Sequence, residues 1–352
     1  MIVRILALTS ALAIACDARA PSDSPDAASP IDATSGGAAC PMPLRSRDRA
    51  PVASHGDAAG LVDGALAGAT WTGAVDAWVA IDVGVGPTAV MSAWTAIGDG
   101  QLTGYAIETS ADSTDGKDGH WQTAVAILDN TAATRADAIA FTGQRWLRLR
   151  ITEGAADLSE LAVHDASHGT CDSWLFIGDS ITAMAFNLST DFADDVHAAR
   201  PDTYPLRLGI GVGGTNSENG LANLDAWLAA YPDVHNWVVS YGTNDMGGGD
   251  PVYAPAYHDR MRRLITRLQQ AGKRVFVPRI PYGTWDPDGA VIPVYNAEVD
   301  RVVAETGAIA GPDLYAYFRA HPDQLADQIH PGALGARAMN ELWSAIALAH
   351  YP

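Results

Sequence analysis

The sequence predicts two folded domains of different class, an all-β sandwich followed by an α/β domain with a parallel sheet. A chain of 352 residues is long enough for two domains that each bury a core. In the first half, short runs such as Trp146–Ile151 alternate apolar and polar residues between turn-forming clusters, with no helical period. In the second half, continuous apolar runs such as Trp174–Ile177 alternate with helical patterns, as in a sheet covered by helices on both faces. We place the domains at residues 40–171 and 172–352.

The N-terminal 15 residues have the pattern of an export signal. Arg4 supplies a positive charge, and Ile5–Ala15 form an apolar stretch that is too short to span a bilayer. The segment Ala13–Cys16 resembles the bacterial lipobox, which implies lipidation of Cys16 and an anchor in a bacterial membrane. Cleavage after Ala20, giving a periplasmic or extracellular protein without lipid, is the alternative. Residues 16–39 are rich in Pro, Ser, Asp, Ala and Gly and predict a disordered linker.

The charge balance excludes one class of partner. Forty-one acidic residues face 22 basic ones, for a net charge of −19. Binding to nucleic acid needs a basic stripe, and none is visible. We therefore expect no nucleic-acid partner, and membrane contact only through the lipid anchor.

The strands of the first domain are predicted from side-chain alternation. The runs Trp78–Val83, Tyr105–Thr109, Thr123–Leu128 and Trp146–Ile151 each carry apolar residues at every second position. Aromatic rings can stack on sugars, so the five tryptophans of this domain could form a sugar-binding surface. The alternative, which we favour, is that most of them belong to the core. These tryptophans are Trp71, Trp78, Trp94, Trp121 and Trp146.

Four polar segments of the second domain follow predicted strands or precede the last helix. Helical periodicity predicts helices over Leu221–Ala230, Tyr257–Gln270 and Ala333–His350. Reactive groups of parallel sheets collect at the carboxyl ends of the strands, so these four segments should meet at one edge. The segments are Gly178–Ser180, Gly213–Thr215, Gly242–Asp245 and Asp327–Pro331.

These segments hold the groups that acyl transfer requires. A serine hydroxyl becomes nucleophilic when a histidine accepts its proton, and a carboxylate must orient that histidine. Ser180, His330 and Asp327 can fill these roles. The backbone N–H groups of Ser180 and Gly214 and the side chain of Asn244 can stabilise the oxyanion.

A competing motif lies between the second and third of the predicted strands. The run Gly209–Gly214 satisfies G-x-G-x-x-G, the pattern of dinucleotide-binding loops. The glycines follow the second strand of the domain instead of the first, and Thr215–Gly220 looks too polar and turn-rich to begin a helix at once. We therefore disfavour a nucleotide site. No Cys/His cluster has the spacing of a catalytic metal site.

Together, in this order and spacing, the four segments resemble the SGNH (GDSL-type) hydrolases. The resemblance implies a flavodoxin-like three-layer domain with Ser180 as nucleophile, His330 and Asp327 as its partners, and an oxyanion hole of Ser180, Gly214 and Asn244. The resemblance also implies that catalysis requires no cofactor. Ile181 stands where the family's name-giving motif has leucine.

The first domain resembles the discoidin (coagulation-factor C-type) and galactose-binding-like modules, which are jelly-roll sandwiches. The resemblance rests on stretches such as Val62–Gly64, Trp146–Ile151 and Leu158–Val163. Export already favours a disulfide between Cys40 and Cys171 over two free thiols, and the family's bridged ends agree with it. The resemblance also implies a structural calcium ion near Asp63 and Glu160, as an alternative to two surface carboxylates.

The sequence thus predicts an exported serine esterase whose first domain binds polysaccharide. The ester would most readily be an O-acetyl group on a glycan. A lipid or short-chain acyl esterase or thioesterase, or a glycan-binding surface protein with an inactive hydrolase domain, are the alternatives. We expect Asp179 and Asp245 to brace loops and His321 to lie on the surface, whereas Tyr282 and Trp285 could line the cleft or belong to a plain loop.

Overall fold

The computed structural model describes residues 40–351, except 48, 67–70, 97–101 and 188. The predicted signal segment 1–15, Cys16 and the linker 16–39 lie outside the described residues.

The first domain contains two antiparallel sheets. The five-stranded sheet has the order β1-β3-β8-β5-β6 and the four-stranded sheet the order β2-β9-β4-β7. A single core lies between them, because Ile81 and Leu149 of the first sheet cluster with Trp94 and Leu161 of the second. The all-β prediction is therefore correct. The strands are β1 Val52–Ala53, β2 Trp71–Ala74, β3 Trp78–Asp82, β4 Ala89–Ala96, β5 Gly104–Ser110, β6 Gln122–Ile127, β7 Thr134–Ala140, β8 Trp146–Glu153 and β9 Ala155–Asp165.

Three of the five tryptophans are buried, and two of them, Trp71 and Trp94, belong to the core between the sheets. Trp71, Trp94 and Trp146 are at most 5% exposed. The other two lie on the outer face of the five-stranded sheet, where the guanidinium of Arg148 is 5.3 Å from the ring centre of Trp78 and 4.1 Å from that of Trp121. Such cation–π stacking stabilises partly exposed rings.

The second domain has a five-stranded parallel sheet with the order β11-β10-β12-β13-β14. Numbered within the domain, this order is 2-1-3-4-5, the flavodoxin-like arrangement. The strands are β10 Ser173–Gly178, β11 Leu206–Gly209, β12 Asn236–Ser240, β13 Arg274–Arg279 and β14 Ile309–Asp313. The helices are α1 Ser180–Thr182, α2 Asp191–Ala199, α3 Ser217–Ala230, α4 Ala254–Gln270, α5 Ile292–Thr306, α6 Leu314–Ala320 and α7 Ala333–Ala349.

The central strand β10 is buried on both faces, as its apolar run predicts. Trp174 and Phe176 pack with α2, α6 and α7, whereas Leu175 and Ile177 pack with α3, α4 and α5. The domain therefore has three layers. Within the part of the chain that the structure describes, no helix combines the length and apolarity needed to cross a bilayer.

The two domains share buried surface. Met91 and Ala136, on the outer face of the four-stranded sheet, cluster with Leu206 and Tyr231 of the second domain. The hydroxyl of Tyr231 donates to the backbone oxygen of Thr134 at 2.7 Å. Apolar burial and this hydrogen bond hold the four-stranded sheet against the second domain.

The predicted disulfide is confirmed. Cys40 and Cys171 are bonded, with their Cα atoms 6.0 Å apart and a sequence separation of 131 residues. The bond joins the start of the first domain to the residue that precedes the second. A cross-link over so long a segment removes much conformational freedom from the unfolded chain.

Replacing both cysteines by serine (Cys40→Ser with Cys171→Ser) should lower the free energy of unfolding by about 2–5 kcal/mol, because the unfolded chain regains that freedom. Urea denaturation of the two oxidised proteins measures the difference. Native protein treated with a reductant is the control and should match the variant. Equal denaturation midpoints for the oxidised native protein and the variant would contradict the stabilising role.

Candidate active site

The end of β10 delivers Ser180 to the carboxyl edge of the sheet. Gly178 is needed there because a Cβ atom at this position would lie 2.5 Å from the backbone oxygen of Ser240 on the neighbouring strand. Asp179 is the N-cap of α1, and its side chain accepts the N–H of Ile181 at 2.9 Å. Ser180 is the first residue of this short helix, so its N–H has no acceptor within the helix.

Three predicted residues form one hydrogen-bonded chain. The Oγ atom of Ser180 lies 2.8 Å from Nε2 of His330. The Nδ1 atom of the same ring lies 2.8 Å from Oδ2 of Asp327. A carboxylate facing Nδ1 favours the tautomer that carries its proton there, which leaves the lone pair of Nε2 directed at the serine hydroxyl.

The loop that carries Asp327 and His330 folds back on itself. The second carboxylate oxygen of Asp327 accepts the backbone N–H groups of Ile329 at 2.7 Å and His330 at 2.8 Å. The pKa of Asp327 is lowered to about 2, mainly by the hydrogen bond from the backbone N–H of His330. The His330 ring and the N–H of Ile329 lower it further. The carboxylate is therefore ionised at neutral pH.

Hydrogen bonds join the loops that follow three strands. The backbone oxygen of Gly178 accepts the N–H of Val212 at 3.0 Å, and the backbone oxygen of Val212 accepts the hydroxyl of Thr215 at 2.7 Å. The backbone oxygen of Thr215 accepts the side-chain N–H of Asn244 at 2.8 Å. An amide nitrogen carries two hydrogens, so Asn244 keeps one to donate elsewhere.

Gly214 lies in the loop that faces the serine. A Cβ atom on its neighbour Gly213 would lie 3.9 Å from the Cβ atom of Ser180. Gly214 has φ +76°, a left-handed conformation that side chains disfavour. Its N–H has no protein acceptor among the described residues. The structure thus brings Ser180, this glycine loop and Asn244 to one edge, as predicted.

The two neighbouring aspartates brace loops, as predicted. Asp179 caps α1, and burial raises its pKa to about 6. The buried carboxylate of Asp245 accepts the backbone N–H of Ser217 at 3.0 Å and pairs with Arg260 at 3.0 Å. The role of Arg260 was not predicted, because no local sequence pattern shows that α4 directs this side chain toward the loop after β12.

One local interpretation was wrong. The polar run after Gly214 begins a helix at once: Asn216 caps α3 by accepting the N–H groups of Glu218 and Asn219, each at 3.1 Å. The side chain of Asn219 accepts the N–H of Asn216 in return, which completes a capping box. The polar residues are therefore capping residues and not a turn. The glycines still follow the second strand of the domain, β11, which argues against a dinucleotide loop.

Three aromatic or histidine side chains were considered in the surroundings of the site: Tyr282, Trp285 and His321. The N–H of Thr284 donates to the backbone oxygen of Gln328 at 2.9 Å, so the loop carrying Tyr282 and Trp285 lies against the loop of Asp327 and His330. Tyr282 and Trp285 are both half-buried there. His321 is exposed, as predicted.

The candidate calcium residues flank one turn of the first domain. The carboxylate of Glu160 is buried and accepts the N–H of Gly64 at 3.0 Å, and Asp63 is the preceding residue. Two carboxylates fit the oxygen preference of calcium. Among the described residues, no group of three or more His, Cys, Asp or Glu side chains could hold a metal. Backbone oxygens would have to supply the remaining calcium ligands.

The match to a family model agrees with this geometry. Residues 176–338 match the model of the GDSL-like Lipase/Acylhydrolase family. The chain matches no curated protein.

Solved esterase structures are also similar to part of the chain. They include an acetyl xylan esterase, AlAXEase (20% identity, TM-score 0.42, covering 49% of this chain and 99% of that one). The psychrotrophic esterase EstA from Pseudoalteromonas sp. is 18% identical, with a TM-score of 0.42 over 51% of this chain and 100% of that one. Axe2, an acetylxylan esterase from Geobacillus stearothermophilus, is 20% identical, with a TM-score of 0.43 over 52% of this chain and 96% of that one.

The family match covers the segment that holds β10, the Ser180 turn, the glycine loop, Asn244 and the Asp327–His330 loop. The family model thus matches most of the second domain, and the protein is a carboxylic ester hydrolase.

Proposed function

We propose that this protein is an exported serine esterase that removes ester groups, foremost O-acetyl groups, from carbohydrate. The observation that carries the proposal is the continuous chain from Ser180 Oγ through the imidazole of His330 to the carboxylate of Asp327, with both links at 2.8 Å. An inactive hydrolase domain would have no need to keep all three side chains within hydrogen-bonding distance of one another.

Acylation begins when Ser180 Oγ attacks the ester carbonyl carbon. As the O–C bond forms, Nε2 of His330 accepts the hydroxyl proton, and the ionised carboxylate of Asp327 stabilises the imidazolium. The carbonyl π electrons move to oxygen and give a tetrahedral oxyanion. When the intermediate collapses, the C–O bond to the sugar breaks, and the sugar oxygen takes the proton from Nε2. The acyl group remains on Ser180.

The developing oxyanion would be held by the N–H of Ser180, the N–H of Gly214 and the free amide hydrogen of Asn244. Each preorganised donor of this kind can lower the activation barrier by about 3 kcal/mol. The hydrogen bond from Asn244 to Thr215 fixes the amide plane before substrate arrives. The donors therefore need little reorganisation in the transition state.

Deacylation repeats the steps with water as the nucleophile. His330 accepts a proton from water while the water oxygen bonds to the acyl carbon. Collapse of the second intermediate breaks the bond to Ser180, whose oxygen recovers the proton. Deacylation releases the carboxylic acid, and the free sugar hydroxyl is the product of the acylation step.

The carbohydrate substrate is proposed from the domain pairing, because the first domain resembles sugar-binding modules. The outer face with Trp78 and Trp121 stacked on Arg148 is a candidate polysaccharide surface of that domain. A panel of acetylated glycans, tested beside lipid esters and thioesters, separates this proposal from a lipid or short-chain acyl esterase.

Replacing the nucleophile (Ser180→Ala) should lower kcat for 4-nitrophenyl acetate by at least about 10⁴-fold, because the attacking oxygen is lost. Asp327→Asn should lower it by about 10²–10⁴-fold, since the histidine tautomer is no longer selected. Initial rates of nitrophenol release measure both effects.

Asp323→Asn is the matched control for Asp327→Asn, because Asp323 is an exposed aspartate on the same segment. It should retain the native rate. Equal, background-level rates for the native protein and Ser180→Ala would overturn the esterase mechanism.

We also propose a structural calcium ion beside the Asp63–Gly64 turn. Glu160 and Asp63 would supply oxygen ligands, and a bound cation would stabilise the ionised form of Glu160, whose pKa burial raises to about 8. The ion would tie the turn to β9 and stabilise the first domain. It takes no part in the ester chemistry.

Calcium should therefore raise the melting temperature by several degrees relative to protein in EDTA, since a ligand that binds only the folded state stabilises it. Glu160→Gln should abolish this shift and retain the hydrogen bond to Gly64. Glu153→Gln, at an exposed glutamate of the same domain, is the control. Identical melting curves in calcium and EDTA would refute the site.

Export and lipid anchoring are proposed from residues 1–16 alone. A single lipid-modified cysteine followed by the polar segment 17–39 would tether the folded domains to a membrane.

On this proposal, Cys16→Ala moves the protein from the membrane fraction to the soluble fraction of a bacterial host that processes lipoproteins, because the attachment site is lost. Immunoblots of fractionated cells measure the distribution, with Cys40→Ala as the control. Unchanged partitioning of Cys16→Ala would contradict the anchor.

A further inference from the structure

A groove of about 390 Å³ lies between the two domains. One wall is the 64–66 loop of the first domain. The others are the start of α2, residues 189–191, and the first turn of α7, with Ala333, Ala336 and Arg337. The volume is within the range of about 300–1,000 Å³ that small-molecule sites occupy.

The groove lies at the same edge of the sheet as the active site. Helix α7 begins at Ala333, directly after the loop that carries His330. Helix α2 begins at Asp191, after the turn of chain that follows Ser180. In parallel α/β folds, helices that follow strands begin at the carboxyl edge, which is where the reactive groups lie. A chain bound in the groove would therefore lie on the same side of the sheet as Ser180.

The charges that line the groove are already paired. Arg337 contacts Asp191 at 2.8 Å, Asp195 at 2.7 Å and Glu341 at 3.1 Å. The guanidinium therefore offers no uncompensated positive charge to a phosphate or carboxylate. An uncharged ligand fits this lining better than an anion.

Two hydroxyl groups in the groove have complementary hydrogen-bonding capacity. Ser189 Oγ accepts the N–H of Asp191 at 3.1 Å, and its own hydrogen has no acceptor among the described residues. Thr190 Oγ1 donates to Asp194 at 3.1 Å, which leaves its lone pairs to accept. One donor beside one acceptor matches a sugar, whose hydroxyls both donate and accept.

The lining has little apolar bulk. Leu66 is its one large aliphatic side chain, and the remaining apolar residues are alanines with Gly64. An acyl chain would gain little burial there, because the hydrophobic contribution scales with the apolar area that is covered. The lining favours a polyhydroxylated ligand over a lipid tail.

We propose that this groove binds neutral sugar residues of the ester-bearing chain, so that the first domain helps to position substrate at Ser180. This inference rests on the proposed esterase function. It assigns to the 64–66 loop a direct part in substrate binding, distinct from polysaccharide capture on the outer sheet face.

The test fills the groove from each side. Ala65→Trp blocks it from the first domain and Ala333→Trp from α7, and both residues are exposed. Val85→Trp and Leu334→Trp place the same ring at exposed positions outside the lining. Hydrolysis of 4-nitrophenyl acetate and acetate release from an acetylated neutral oligosaccharide are measured for each protein.

Both groove variants should lose at least tenfold in kcat/KM on the oligosaccharide, and their rates on 4-nitrophenyl acetate should stay within twofold of native. The two controls should match the native protein on both substrates. Oligosaccharide rates within twofold of native, or equal losses on both substrates in both groove variants, would overturn the groove proposal. A native protein that hydrolyses 4-nitrophenyl acetate but no acetylated glycan would instead defeat the carbohydrate-esterase proposal.

Discussion

The hydrogen bonds that begin at the backbone oxygen of Gly178 link the loops of the active site to one another. This oxygen accepts the N–H of Val212, whose backbone oxygen accepts the hydroxyl of Thr215, and the backbone oxygen of Thr215 in turn accepts the side chain of Asn244. Loops from three strands thereby hold fixed positions around the serine. Preorganised donors act without reorganisation in the transition state, so the rate of an ester hydrolase depends on this kind of rigidity.

The second constraint is the buried interface between the domains. The four-stranded sheet packs Met91 and Ala136 against the second domain. The disulfide between Cys40 and Cys171 joins the two ends of the first domain. A module held by a flexible linker would raise local substrate concentration only. A module held by a packed interface can also form a wall of a groove with the second domain, as the 64–66 loop does.

Much of the fold and the site was predictable because local patterns carry them. The buried run of β10 and the polar residues at strand ends followed from periodicity and from the geometry of parallel sheets. The cap at Asn216 was missed because polar capping residues also occur in turns. The pairing of Arg260 with Asp245 and the groove beside Ala65 were beyond sequence analysis, since tertiary packing alone brings these residues together.

The central claim is that Ser180 is activated by His330 and Asp327. A fluorophosphonate labels serines that a histidine has activated, so mass spectrometry of the treated protein tests the claim directly. The account predicts one phosphonyl group, located on Ser180, and its loss in His330→Ala. Labelling of another serine, or unchanged labelling of Ser180 in His330→Ala, would contradict it.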